Sequence, residues 1–227
     1  MKRSVRDMSE SDRIRRLMET VPPAEMEPRP YQEEREFSRR LDLELGFDIA
    51  GCEARVILEH PATPWAGLDP ETLQTPYAEL RRMLSRAAPL PGSRIADIGA
   101  GYGRMGLLVG ALHPELHFTG VEICPVRALE GGRMLARFPN VDWRCGDVTS
   151  DSEPFPEADH YFIYDFSGLE SLFRVIDRLK SVARKRKITV IGRGRRTRDH
   201  IERMEPWLNA MVPPRHFGNF SIYTSAD

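Results

Sequence analysis

The chain has 227 residues, of which 41% are hydrophobic and 30% are charged, and its formal net charge is −1. This composition excludes a disordered chain, and the near-zero charge predicts no general attraction to nucleic acid or anionic lipid. No apolar run reaches the roughly 18 residues that a transmembrane helix needs.

The charged start of the chain lacks the apolar segment of a secretory signal, and the three cysteines lack C-x-x-C spacing. We therefore expect reduced thiols in the cytoplasm, without disulfides or structural zinc. The six histidines show no metal-ligand spacing, so no metal site is predicted.

Residues 1–70 are rich in charge and proline and predict a helical N-terminal extension. One helix carries Ile14 on its apolar face, and a second runs from about residue 31 to 45. A short strand is predicted over 54–58 and a loop over 61–70. We expect this extension to form a cap over the second unit, residues 71–227.

From residue 71 onward, short strands and helices alternate. A helix is predicted to start at Pro76 with Thr75 as its cap. The predicted strands span 94–98, 117–121, 141–144, 161–164, 188–191 and 220–223, and the later helices span 105–112, 125–138, 169–182 and 198–205. This alternation predicts an α/β fold with a doubly wound, mostly parallel sheet. Such sheets bind ligands at the carboxyl ends of their strands.

A glycine-rich segment follows the first predicted strand. Its glycines, Gly99, Gly101 and Gly103, are spaced two residues apart, and Asp97 comes two residues before the first of them. The glycines permit a tight turn and close approach of a ligand to the backbone. The third glycine of the dinucleotide fingerprint is replaced by Arg104. Asp97 would repel a phosphate but would attract an ammonium or a sulfonium. The alternative is a strand–helix turn without a ligand.

Acidic residues also follow the next two predicted strands. Glu122 comes nineteen residues after Gly103 and can accept both hydroxyls of a ribose. Asp147 can accept a hydrogen bond from an adenine amine while Val148 packs against the ring. The alternatives are a solvated strand-end acid for Glu122 and an Asx-type turn for Asp147.

Residues 94–106 resemble the first motif of class I S-adenosylmethionine-dependent methyltransferases, and the acids at 122 and 147 fall where that superfamily binds ribose and adenine. This resemblance covers residues 73–224. A shorter resemblance, over residues 73–77, is to the Thr-Pro-Tyr segment of small prokaryotic and Dot1-like protein lysine methyltransferases.

The resemblance implies a Rossmann-like domain with S-adenosyl-L-methionine as cofactor. Asp97 and the glycine loop would hold its methionine part, and Thr75 or Tyr77 would close over it. For Thr75 and Pro76, a simple helix start is the alternative. The implied cofactor-binding residues are Thr75, Tyr77, Asp97, Gly99, Ala100, Gly101, Gly103, Glu122, Ile123, Asp147, Val148 and Tyr164.

In this superfamily the segment after the fourth strand faces the transferring methyl group. Here it reads Tyr164-Asp165-Phe166. Asp165 and Tyr164 are the predicted catalytic residues, Asp165 as a proton acceptor or a ligand for a substrate amine. Phe166 is predicted to contact substrate, with core packing as the alternative for both aromatic residues. The Asn/Asp-Pro-Pro-Tyr/Phe signature is absent, which argues against adenine and glutamine amides as acceptors.

Eight basic residues and no acidic residue occur between 184 and 198. The two halves of this cluster flank one predicted strand and would lie on opposite sides of the sheet. We predict that Arg193 and Arg195 bind an anionic group of the substrate. The alternative is a solvated basic loop. Tyr31, Phe37 and Trp65 are candidate pocket aromatics or, alternatively, residues that dock the extension.

The sequence thus predicts a methyltransferase for a protein side chain or a small anionic acceptor. RNA is a less favoured acceptor because the net charge provides no long-range steering. A non-catalytic cofactor-binding or interaction module of the same fold is the alternative from another class. Aminopropyl transfer from a decarboxylated cofactor is disfavoured, since no paired acids follow the fourth strand. The oligomeric state is left open.

Overall fold

The computed structural model describes residues 8–63, 65–165 and 167–225. A seven-stranded sheet occupies its centre, with the order β3-β2-β1-β4-β5-β7-β6. The strands are β1 (Arg94–Ile98), β2 (His117–Glu122), β3 (Val141–Cys145), β4 (His160–Tyr164), β5 (Thr189–Arg193), β6 (Arg215–Phe217) and β7 (Phe220–Thr224). Strands β1 to β5 are parallel, and β7 is antiparallel to both of its neighbours. The predicted doubly wound, mostly parallel α/β fold is confirmed.

Ten helices occur in the described part of the chain. They are α1 (Glu10–Glu19), α2 (Tyr31–Leu45), α3 (Ile49–Glu59), α4 (Pro70–Leu73), α5 (Tyr77–Ala87), α6 (Arg104–Leu112), α7 (Pro125–Leu135), α8 (Leu169–Ala183), α9 (Arg195–Met204) and α10 (Pro206–Asn209). None of these is long and apolar enough to cross a membrane.

The prediction of a strand over 54–58 is wrong, because this segment lies inside α3. The Asp48 side chain accepts a hydrogen bond from the backbone of Gly51 and so caps the helix. Cys52 and Val56, four residues apart, are buried on the same helix face. Capping and helical periodicity therefore outweigh the strand preference of a short apolar run.

Two further differences concern the starts of helices, and a third is a strand that was not predicted. Pro76 is the residue before α5, so Thr75 does not cap that helix, and the free backbone N–H of Tyr77 is donated to the Ser38 hydroxyl at 3.0 Å. Helix α9 begins at Arg195, three residues earlier than predicted. Strand β6 was not predicted because three residues are too few to show an alternating pattern.

Helices α1 to α3 pack against the helices on one face of the sheet. Ile14, Met18 and Leu41 share a hydrophobic core with Leu107 of α6 and Leu135 of α7. Burial of such side chains contributes about 1.5–3 kcal/mol each, which fixes the extension against the sheet. A boundary near residue 70 stays a prediction.

Two buried groups of charges reinforce this contact. Arg104 pairs with Asp42 of α2 and, at 2.7 Å, with Glu71. Arg127 donates two hydrogen bonds to Glu53 of α3, at 2.8 and 3.0 Å. We call these five residues the seam charges, because they join the extension to the sheet domain.

Candidate functional site

A cavity of about 380 Å³ opens at the carboxyl ends of β1 to β4, where the strand order reverses. We call it the outer cavity. A smaller space of about 50 Å³, the inner compartment, adjoins it. Leu73, Gln74, Gly99, Gly101 and Tyr164 line both. The predicted ligand edge of the sheet is therefore a cleft with two connected parts.

The glycine loop after β1 forms the wall between these spaces. Gly99 and Gly101 have positive φ angles of 74° and 59°, which non-glycine residues rarely adopt. The backbone N–H groups of Gly99 and Ala100 both donate to the carbonyl of Val121 at 3.0 Å. These bonds fix the loop on the end of β2, so its backbone is held ready for a ligand.

Glu122 is buried beside this loop and lines the outer cavity. Its carboxylate accepts hydrogen bonds from the backbone of Gly101 at 2.8 Å and of Cys124 at 2.9 Å, one on each oxygen. Burial raises the pKa of Glu122 above its ordinary value, and the two backbone donors oppose that shift. Each oxygen retains a second acceptor position, so the side chain can still accept hydroxyls.

Asp97 lines the inner compartment, next to Gly99 and Ala100. Burial, followed by the charge of Glu122, raises the pKa of Asp97 to about 7. Its carboxylate has no hydrogen-bond or ion-pair partner among the described residues, although it is only partly exposed. A desolvated acid without a partner is a site for a cation.

Asp147, Val148 and Ile123 lie along the outer cavity, as predicted. Asp147 Oδ1 accepts bonds from the backbone and hydroxyl of Thr149 at 2.8 and 2.7 Å, so the Asx-type turn is real. Its second oxygen has no partner in the described structure and can accept from a ligand amine. Val148 is buried and Ile123 is 46% exposed, which provides two apolar surfaces for a flat ring.

Two predicted cofactor-binding residues lie elsewhere. Tyr77 is fully buried in the seam, where its hydroxyl donates to Asp42 at 2.8 Å. Gly103 precedes α6 with φ 84°, and a Cβ there would lie 2.7 Å from Leu135 Cδ1. It serves helix packing. Neither residue lines the cleft, because a motif specifies position along the chain, whereas lining a cleft depends on packing. Thr75 does line the inner compartment.

The two predicted catalytic residues differ in their surroundings. Tyr164 lines both spaces, and its hydroxyl donates to the Thr72 carbonyl at 3.3 Å. Asp165 accepts three hydrogen bonds at the start of α9, from the Arg196 backbone and from the backbone and hydroxyl of Thr197. Asp165 therefore satisfies backbone N–H groups in the first turn of α9, and it also lines the outer cavity. Phe166 lies outside the described residues.

The arginines after β5 separate into three environments. Arg193 is buried and lines the inner compartment, where it pairs with Glu79 at 2.9 Å. Arg195 is 90% exposed and pairs with Asp199 within its own helix, so its predicted substrate contact is not supported. Arg196 instead lines the outer cavity, 5.8 Å from the ring of Trp65.

Among the predicted pocket aromatics, Trp65 lines the outer cavity, Tyr31 accepts a bond from Arg193 at 2.9 Å, and Phe37 packs against the core. Gln74 was missed: it is buried at the junction of the two spaces. No sequence pattern marked it beyond its position before Thr75. The described residues contain no group of three or more side chains that could hold a metal ion.

No protein-family model and no curated protein matches the chain. Among solved structures it is similar to a TehB-like SAM-dependent methyltransferase from Corynebacterium glutamicum, with 20% identity and a TM-score of 0.49 over 78% of this chain and 98% of that one. It is also similar to precorrin-6y C5,15-methyltransferase from Geobacter metallireducens, with 20% identity and a TM-score of 0.49 over 68% and 90%. A third similar structure is a SAM-dependent methyltransferase from Aquifex aeolicus, with 14% identity and a TM-score of 0.49 over 70% of this chain and 98% of that one.

Proposed function

We propose that this protein is an S-adenosyl-L-methionine-dependent methyltransferase. The observation that carries the proposal is the unpaired Asp97 carboxylate beside the glycine loop. This carboxylate is costly in the free protein and becomes favourable when a ligand supplies a positive charge. Glu122 and Asp147 on the connected outer cavity provide acceptors for the uncharged part of the same ligand.

The residues present fit this cofactor. Glu122 has free acceptor positions for ribose hydroxyls, Asp147 has one for an adenine amine, and Ile123 and Val148 present apolar surfaces for the base. When bound, the cofactor supplies a methyl group activated by its positively charged sulfur. Asp97 would balance positive charge in the inner compartment.

The chain's own contribution to transfer is placement and exclusion of water. Tyr164 lies where the two spaces join and is held by Thr72 and by Arg193, whose guanidinium carbon lies 4.3 Å from the Tyr164 ring centre. We assign Asp165 a positioning role, because its three contacts fix the start of α9 and thereby place Arg196 in the cavity wall. It is not assigned as the base.

For the acceptor, we propose a small anionic molecule or a single protein side chain. Arg196 supplies a positive charge on the wall of the outer cavity, which favours an anionic group on the acceptor. RNA is less favoured as an acceptor, because the two halves of the basic cluster lie at opposite ends of the sheet. In the other half, Arg186 pairs with Asp159, which comes just before β4.

Incubation with a cell lysate and S-adenosylmethionine carrying a radiolabelled methyl group tests the proposal. We expect label in the small-molecule or protein fraction with the wild-type chain and none above background with Asp97→Asn. Label in RNA would reassign the acceptor. Tight binding of S-adenosylhomocysteine without transfer in any fraction would favour a non-catalytic cofactor-binding module. The hydrogen bonds that Asp165 makes with the start of α9 support this second function.

A further inference from the structure

Strand β3 forms one edge of the sheet, because β2 is the one strand that pairs with it in the described structure. Such an edge presents a row of backbone N–H and C=O groups without a neighbouring strand. Just outside β3, the Asn140 carbonyl accepts from β2 and the Gly146 N–H donates to β2. Backbone direction alternates along a strand, so Trp143 and Cys145 direct their N–H groups away from the sheet.

A second copy of β3 can satisfy these groups when the two strands run antiparallel about a two-fold axis at Trp143. Each Trp143 N–H would then donate to the carbonyl of the partner's Trp143, and each Cys145 N–H to the carbonyl of the partner's Val141. The Val141 N–H needs no new acceptor, because it donates to the Phe138 carbonyl at 3.1 Å. The free backbone groups of this edge are therefore arranged for self-pairing.

The charges on β3 match the same arrangement. Asp142 and Arg144 lie two residues apart and so project from the same face of the sheet. Among the described residues neither forms an ion pair, and Arg144 donates only to the Pro154 carbonyl at 3.4 Å. In the antiparallel register about Trp143, Asp142 lies opposite the partner's Arg144, and Arg144 opposite the partner's Asp142. Opposite charges directly across two strands stabilise their pairing, so β3 is complementary to itself.

The opposite edge of the sheet lacks this property. Charged residues on edge strands ordinarily prevent pairing with another chain. Strand β6 has only three residues, and its Arg215 has no acidic residue beside it on the strand. A second copy paired along β6 would gain no ion pair across the strands. The two edges therefore differ, and β3 is the one that favours a second copy.

Helix α7 continues the surface beside β3. The Trp143 indole N–H donates to the Ala128 carbonyl at 2.7 Å, so α7 lies over this strand. Arg127 faces α3, where it pairs with Glu53. Leu129, on the opposite side of α7 from Arg127, is 67% exposed. A copy paired along β3 would bring its own α7 beside this one, and the two helices would cover this apolar side chain.

We propose that β3 and α7 form a self-association surface, on which a second copy of this chain binds by antiparallel pairing of the two β3 strands. The two copies would share one continuous sheet across a two-fold axis. The inference is independent of the proposed function, because Asp142, Trp143, Arg144 and Leu129 line neither the outer cavity nor the inner compartment.

Sedimentation velocity of the full chain from about 1 to about 300 µM tests the inference, since interfaces of modest area dissociate in this range. We expect the mass to rise from 26.0 kDa towards twice that value. Asp142→Arg and Arg144→Asp each place like charges opposite one another and should raise the dissociation constant roughly tenfold or more. Asp177→Arg, at an exposed acid of α8, is the matched control and should leave it unchanged.

Mixing the two single variants gives the sharpest result. Each variant carries like charges on its own β3, but the two strands complement each other, so the mixture should form dimers that neither variant forms alone. Unfolded variants could not do this, and circular dichroism verifies their fold. In the wild-type dimer, amide exchange at Trp143 and Cys145 should slow as the concentration rises. A wild-type chain that stays monomeric, a dimer that both reversals leave unchanged, or folded variants that fail to associate when mixed would each overturn the inference.

Discussion

Two sets of polar groups in this chain differ in whether other residues of the chain pair with them. In the seam, each carboxylate has a guanidinium partner: Asp42 and Glu71 have Arg104, and Glu53 has Arg127. At the cleft, the partly exposed Asp97 and the buried Gln74 have no partner among the described residues, and Arg193 keeps one unused donor.

We infer that the paired groups stabilise the fold and that the unpaired groups bind a ligand. Paired charges in the seam hold the extension in one position on the sheet. Unpaired groups at the cleft destabilise the free protein, and a ligand is what would satisfy them. Substitutions in the first set should therefore reduce stability, and those in the second should reduce binding without that loss.

The largest expected effect is in the seam. Arg104→Met leaves Asp42 and Glu71 buried without their cation, and we expect a loss of about 3–5 kcal/mol in the free energy of unfolding, measured by urea denaturation. Arg195→Met is the matched control, because that side chain is 90% exposed, and should change stability by less than about 0.5 kcal/mol. Equal losses would show that the seam pairs do not stabilise the fold.

Asp97→Asn should have the opposite effect on stability. The pKa of Asp97 is about 7 in the folded protein against 3.8 ordinarily, so the folded chain binds more protons than the unfolded chain between these values. Stability is therefore lost as pH rises through that window. At about pH 8 we expect Asp97→Asn to stabilise the free protein by about 1–3 kcal/mol, with no gain below about pH 4. A destabilised variant at pH 8 would show that Asp97 has a structural partner.

Substitutions at two of the three loop glycines should also differ in whether they mainly reduce stability or binding. Gly103→Ala combines φ 84° with a Cβ 2.7 Å from Leu135, so about 1–2 kcal/mol of stability should be lost. Gly101→Ala meets no atom within 4 Å and should cost about 1 kcal/mol through its φ of 59°. Its methyl group would project into the cleft and should weaken S-adenosylhomocysteine more than Gly103→Ala does. Calorimetry and urea denaturation of both variants check this ordering.

The smallest expected effect is the pH dependence of binding. Below its pKa of about 7 Asp97 is protonated and attracts the ligand ammonium less, so affinity for S-adenosylhomocysteine should rise severalfold between about pH 6 and 8. In Asp97→Asn this rise should be absent. A wild-type affinity that is constant across this range would contradict the role given to Asp97.

The sequence predicted the cleft acids because parallel strands end at one edge, so Asp97, Glu122 and Asp147 had to lie near each other once the strands were known. The sequence did not predict which of these side chains form hydrogen bonds with other elements of the fold. Tyr77 and Asp165 were themselves predicted site residues, but Asp42 and the start of α9 take their polar atoms. These contacts link residues 35 and 32 positions apart, which no local pattern encodes.

Calorimetric titration of S-adenosylhomocysteine into the wild-type chain and into Asp97→Asn at about pH 8 tests the central claim most directly. We predict one-to-one binding to the wild type and at least tenfold weaker binding to a variant that stays folded. Absence of binding to the wild type at millimolar concentration, or equal binding to both chains, would contradict the account.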